Sequence, residues 1–329
     1  IRSNCSCSDS DKFIFMFNYS HHISLINHLR EGFPGSCFYF VIHYQNWCFS
    51  LNGDVARFKH IIHSNDISTL PSSEQEVYNS FLRDKELYQI VDKVICLSEF
   101  TLSLLAEEYG VSHNKLMLIY NGLQDERKIL AVEERNLLRK QYHFSSKEKI
   151  VLFVGRLDVI KGIDTLILSF KDLLQRNCNY RLLVVGDGDF SSRLSRCGTD
   201  WNKITFTGRL NKEQLYDFYQ IADIGVMPSM HEQCSYVAIE MMMFGLPMVV
   251  STTPGLKGMM RNGDFGYTFD MEKDSEKSKN ELTDLIIKVL KAPLRKREKM
   301  KSLSRSSYEE KYSVQEMQKK YLNLIFPEQ

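Results

Sequence analysis

The chain has 329 residues, 43% of them hydrophobic and 25% charged, with a formal net charge of +1. That length accommodates two domains with buried cores, and the near-neutral balance excludes nucleic-acid binding through bulk electrostatics. The eight cysteines include no C-x-x-C pair, so neither a zinc site nor a disulfide framework is indicated, and a reducing, cytoplasmic setting is the simpler inference. No apolar run approaches the eighteen or so residues of a membrane helix, and no stretch reads as a signal peptide. The opening on Ile1 without a Met suggests a fragment or a processed form.

In chain order, Phe13 to Phe17 reads as a fully buried strand and Ile23 to Arg30 as a short helix. Pro34-Gly35 then turns the chain into a second apolar strand, Cys37 to Ile42. His43 stands at that strand's C-terminal end, where open parallel sheets meet their ligands. A weakly helical loop covers Leu51 to Thr69, a helix Glu74 to Ile90 and a strand Lys93 to Leu97; Ser98 is the N-cap of a helix from Phe100 to Tyr109. Lys115 to Ile119 is a further strand, closed by the turn Asn121-Gly122. Gln124 to Lys149 is charged and partly helical and reads as the connection between domains.

A new strand, Ile150 to Val154, leads into Gly155-Arg156 and on to Lys161-Gly162. Gly155 permits a sharp turn, while Arg156 and Lys161, in one loop, suit a diphosphate: one as a fork of donors, the other as a point charge. Strand and helix then alternate: helix Ile163 to Arg176, strand Tyr180 to Val185, strand Lys203 to Thr207, helix Lys212 to Ile221, strand Asp223 to Met227. This alternation predicts a parallel sheet. Gly186-x-Gly188 lacks the third glycine of a dinucleotide fingerprint and reads as a loop near the ligand's base.

The stretch Met230 to Pro247 holds two carboxylates, Glu232 and Glu240, with seven residues between them. The spacing places Glu232 in a loop and Glu240 about two turns into the following helix. The amides near Gln233, Cys234, Ser235 and Tyr236 then form a helix N-terminus, where unpaired N–H groups and the dipole favour a phosphate. Each acid is placed to accept from hydroxyls, one from a sugar and the other from a ribose. Strands Met248 to Ser251 and Gly266 to Phe269 follow, with the turn Thr253-Pro254-Gly255 between them. Lys291 to Arg305 is rich in basic residues: a solvated helix face, with a peripheral membrane-surface contact as the second reading. A last helix runs from Val314 to Ile325.

The Glu, seven residues, Glu and Gly-x-Pro pattern, together with Gly155-Arg156-Leu157 to Lys161-Gly162, resembles the donor-site signature of the retaining family 4 glycosyltransferases. The resemblance implies an α/β fold of GT-B architecture, two Rossmann-like parallel-sheet domains facing a cleft. The N-terminal domain (1–145) would be incomplete, the nucleotide-sugar-binding domain would span 146–310, and a terminal helix (311–329) would cross back. It also implies that Glu240 binds the ribose, that Glu232 and His43 are the catalytic pair positioning the sugar, and that Gly155, Arg156, Lys161 and the 233–236 amides hold the diphosphate. No cofactor or metal is implied beyond the nucleotide-sugar substrate, and the acceptor is left open. Three features depart from the family: nothing before Phe13 resembles its usual first strand and glycine-rich loop, Ser235 stands where Gly is usual, and Cys234 where an aromatic is common. The expected function is sugar transfer from a nucleotide diphosphate to an acceptor hydroxyl with retention. The alternatives are a non-catalytic or truncated nucleotide-binding member of the fold and a nicotinamide-dependent dehydrogenase, against which the missing glycine fingerprint argues.

Overall fold

The structure, a computed structural model, describes residues 13–19, 22–176, 179–260, 263–272 and 275–326. They fall into two compact units, divided after residue 120 and again after residue 319, the last stretch belonging with the first unit.

The first unit runs β1 (Ile14–Asn18), α1 (Ile23–Gly32), β2 (Cys37–Ile42), α2 (Asn46–Ser50), α3 (Val55–Ile62), α4 (Ser72–Ile90), β3 (Lys93–Cys96), α5 (Glu99–Glu107) and β4 (Leu116–Leu118). Its four strands are parallel in the order β1-β2-β3-β4. β2 is apolar throughout and buried on both faces from Phe38 to Ile42. Asp92 fixes its register with β3, accepting the Phe38 amide at 2.7 Å while its own amide donates to the Phe38 carbonyl. The core is aromatic, with Trp47 stacked on Phe58 at 4.5 Å and Phe81 against Tyr109 at 4.7 Å. Ser98 does cap α5, accepting from the Thr101 amide.

One expectation fails here. The first strand is not fully buried: Ile14 and Met16 are exposed and Phe15 and Phe17 half-buried. Among the described residues β1 pairs only with β2, so it is an edge strand with one face against the core. An unbroken apolar run cannot by itself distinguish a central strand from an edge.

The second unit runs α6 (Val132–Gln141), β5 (Lys149–Val154), α7 (Ile163–Arg176), β6 (Tyr180–Val185), α8 (Phe190–Cys197), β7 (Ile204–Phe206), α9 (Lys212–Ile221), β8 (Ile224–Met227), α10 (Tyr236–Met243), β9 (Met248–Ser251), α11 (Pro254–Met259), β10 (Gly266–Phe269), α12 (Glu276–Leu290) and α13 (Leu294–Ser307). A π-helical turn, Tyr308–Tyr312, leads into α14 (Val314–Ile325), which spans the division between the units. α7 buries Ile163, Leu166, Ile167, Phe170 and Leu173, the spacing of one helical face, against the sheet and α12.

α6 is tied to this unit by buried charge. Arg139, 3% exposed, donates to the Ile221 and Glu148 carbonyls and to Asp223, and Arg135 reaches the same carboxylate. Burial would raise the pKa of Asp223, but Arg135, Arg139 and Lys149 outweigh it and hold the carboxyl below its ordinary value.

The six parallel strands of this unit lie in the order β10-β9-β8-β5-β6-β7. The chain moves outward from β5 through β6 to β7, then returns to place β8 on the other side of β5. The β5–β8 neighbourhood is therefore the topological switch point, and the crevice outside the strands' carboxyl ends there is where this architecture receives ligands.

Candidate functional site

The loops that leave β5 and β8 meet at this switch point. After β5, Gly155 and Arg156 lead into a short 3₁₀ turn, Val159–Lys161, capped by Asp158, which accepts from the Lys161 amide at 3.0 Å. After β8, residues 228–235 form the second loop, tied to the first by a 2.7 Å bond from the Met230 amide to the Ile160 carbonyl. Across this junction Lys161 Nζ donates to Glu232 Oε1 at 2.6 Å, and Ser229 Oγ donates to the same oxygen at 3.0 Å. Lys161 and Glu232, 71 residues apart in sequence, are thus in direct contact. Arg156 instead pairs with Asp158 at 2.8 Å and is largely exposed.

Glu232 lies in the loop as expected, but α10 begins only at Tyr236. Glu240 is therefore the fifth residue of the helix, a little over one turn in and not two. The Gln233–Ser235 segment remains loop because Ser235 acts as N-cap, with its hydroxyl accepting from the Ala238 amide. Gln233, Cys234 and Ser235 are buried, while Tyr236 is exposed. Asn121 Nδ2 donates to the Cys234 carbonyl at 3.1 Å, and burial pushes the Cys234 thiol up to about 12. The backbone of α11 approaches this loop closely. A Cβ on Gly255, at the start of α11, would stand 2.2 Å from the Glu232 carbonyl oxygen and 2.4 Å from that of Gln233.

Glu240 is mostly buried, which raises its pKa; a 2.7 Å bond from Tyr219 Oη acts in the opposite sense. Tyr219, 1% exposed, packs against Tyr216 and Phe244, which also touch each other. His231, beside Glu232, is driven down to about 4 by burial and the neighbouring Lys161 charge, so it is neutral near pH 7.

Beside Arg156 a cavity of about 600 Å³ is lined by Gly155, Gly186, Asp187, Gly188, Arg209 and Leu210. Its floor needs glycine, because a Cβ on Gly186 would fall 1.8 Å from the Gly155 carbonyl oxygen. The Gly186-x-Gly188 pair therefore lines a cavity next to the cationic loop.

His43 lies in the first unit, just past β2. Its Nε2 is 2.9 Å from Asn18 Oδ1, its ring stacks on Tyr19, and burial lowers its pKa. The segment before Phe13, where no glycine-rich loop was expected, lies outside the described residues. Among the described residues no group of His, Cys, Asp and Glu side chains is arranged to hold a metal ion, and no helix is long and apolar enough to cross a membrane.

Sequence reasoning missed Ser229, Tyr219, Gly255 and Asp158. Asp158 and Ser229 act locally, each three residues ahead of its partner in the same loop, whereas Tyr219 and Gly255 meet groups distant in the chain.

The chain matches the family model for glycosyl transferases group 1 over residues 134–307, and that for glycosyltransferase family 4 over residues 16–127. It is 32% identical over 252 residues to an uncharacterized glycosyltransferase of Methanocaldococcus jannaschii, a match covering 71% of this chain and 63% of that protein. The chain thus spans less than two thirds of this relative's length. Among solved structures it resembles sucrose-phosphate synthase from Thermosynechococcus elongatus, with a TM-score of 0.72 at 22% identity over 95% of this chain and 72% of the other. It also resembles Anabaena HepE, solved in complex with UDP and glucose, with a TM-score of 0.71 at 15% identity over 95% and 78%. At these identities the structural likeness concerns the fold.

Proposed function

Because this chain belongs to the group 1 glycosyltransferases, with the two Rossmann-like units of the GT-B fold, we propose that it transfers a sugar from a nucleotide diphosphate to an acceptor hydroxyl with retention of configuration. The observation that carries the reading is the meeting of Lys161 and Glu232 at the switch point, beside the N-terminus of α10. There an ammonium, a carboxylate and a helix dipole lie within reach of one phosphorylated, hydroxyl-bearing ligand.

In this reading Lys161, Arg156 and the amides at the start of α10 hold the diphosphate and stabilise the charge that develops as the sugar–phosphate bond breaks. Glu232 accepts from the sugar's hydroxyls, Glu240 accepts from the ribose, and the base enters the cavity beside Arg209. His43 is assigned to the sugar by resemblance to the family alone. That HepE was solved with UDP and glucose supports a nucleotide-sugar donor. The related Agrobacterium fabrum mannosylfructose-phosphate synthase, 31% identical over 202 residues, supports a sugar-transferring role.

A second reading, a donor-binding module without transfer, is favoured by one observation: every named donor residue except His43 belongs to the second unit. Melting curves of the whole chain with UDP, GDP and ADP test the shared premise, since a ligand at a hundred times its Kd stabilises the native state by about 2.7 kcal/mol. We expect one of the three to raise the melting temperature, and Lys161→Ala to abolish the rise. No shift with any of them refutes the reading. Turnover of the matching sugar nucleotide separates the enzyme from the module.

A further inference from the structure

Lys161 is assigned to the phosphates, yet its ammonium is already committed to Glu232 at 2.6 Å, on the oxygen that also accepts from Ser229. The pair is partly shielded, with side-chain exposures of 24% and 10%. Both loops are held from behind, Lys161 through Asp158 and residue 230 through Ile160. The ammonium therefore changes partner by swinging its flexible stem, with no movement of the backbone.

On the reading above, we propose that Glu232 is the built-in counterion of the diphosphate site and thereby selects sugar-bearing donors over bare nucleoside diphosphate. A diphosphate entering alone takes Lys161 and leaves the Glu232 carboxylate facing an anion without its cation, an unfavourable juxtaposition. A diphosphate carrying a sugar brings hydroxyl donors, and these replace the ammonium on Glu232 as the phosphate takes it. Once the sugar has left, the carboxylate recovers Lys161 and weakens the hold on the diphosphate product. One exchange of partners thus links recognition of the sugar to release of the spent nucleotide.

The test is calorimetry on the whole chain with UDP, GDP and ADP, and with UDP-glucose, GDP-mannose and ADP-glucose. Glu232→Gln keeps the shape and removes the charge. It should bind the bare diphosphate about three- to tenfold more tightly than the wild type, the scale of a partly screened ion pair, and bind the sugar nucleotide more weakly. Should Glu232→Gln melt well below the wild type, Glu232→Asp, which lengthens the pair, takes its place and should tighten diphosphate binding by a smaller factor. Unchanged or weaker diphosphate binding in these variants overturns the proposal while leaving the functional reading intact. If the wild type binds none of the diphosphates, the functional reading fails and the proposal with it.

Discussion

Gly255→Ala is the sharpest probe of how the site is held. The substitution adds one methyl group to α11, and that carbon would stand 2.2 Å from the Glu232 carbonyl oxygen, 2.4 Å from that of Gln233 and 2.6 Å from the Glu232 carbonyl carbon. Ordinary contact for such atoms is about 3.5 Å, so the loop or the helix must retreat by roughly 1 Å. All three are backbone atoms, so no side chain can rotate away. Overpacking of this kind costs about 1–3 kcal/mol, and a 1 Å displacement of positioning groups costs on the order of a hundredfold in rate. Gly258, in the same helix, is the control, because a Cβ there meets nothing within 4 Å. Gly258→Ala should be neutral or stabilise by up to about 1 kcal/mol through helix propensity. Thermal melting and diphosphate titration of the two variants measure the difference. If Gly255→Ala binds and melts like Gly258→Ala, the loop is not set by backbone contact with α11.

Two further outcomes are expected. Burial raises the pKa of Glu240 and the Tyr219 hydroxyl works against that rise; since the carboxylate accepts hydroxyls when ionised, nucleotide affinity should fall on acidification at a higher pH than an ordinary carboxylate would cause. Tyr219→Phe should move that fall to higher pH still, and an unchanged pH profile by calorimetry would show that Tyr219 does not act on Glu240. A piece comprising residues 121–329 should fold and bind diphosphate, whereas one starting at residue 148 should not, because it lacks α6 and leaves Asp223, whose side chain is 5% exposed, without Arg135 and Arg139. Losing the partners of a buried charge costs about 3–5 kcal/mol; equal melting temperatures of the two pieces would contradict this.

Much was legible in the sequence because it is encoded locally. Strand Tyr180–Val185 and helices Ile163–Arg176, Lys212–Ile221 and Val314–Ile325 lie where their apolar periodicity predicts, since each pattern records which face is buried. Ser98 announced its cap in the same way. The alternation of strand and helix fixed the parallel sheet, and the acid spacing with the basic loop pointed to the family that the comparisons then matched.

What tertiary structure alone decided concerns neighbours distant in the chain. That the first strand lies at an edge, with Ile14 and Met16 exposed, depends on which strands stand beside it, and an apolar run carries no record of that. α10 starts at Tyr236, later than the acid spacing suggested, with Ser235 as its local N-cap, while Asn121 holds the preceding Cys234 carbonyl from 113 residues away. The pairing of Lys161 with Glu232 arises only when β8 returns beside β5, the backbone of Gly255 meets the loop because β9 lies beside β8, and Tyr219 reaches Glu240 by the packing of α9 near α10. Sequence specified which chemical groups the chain carries, and the strand order brought a cation after one strand against a carboxylate after another.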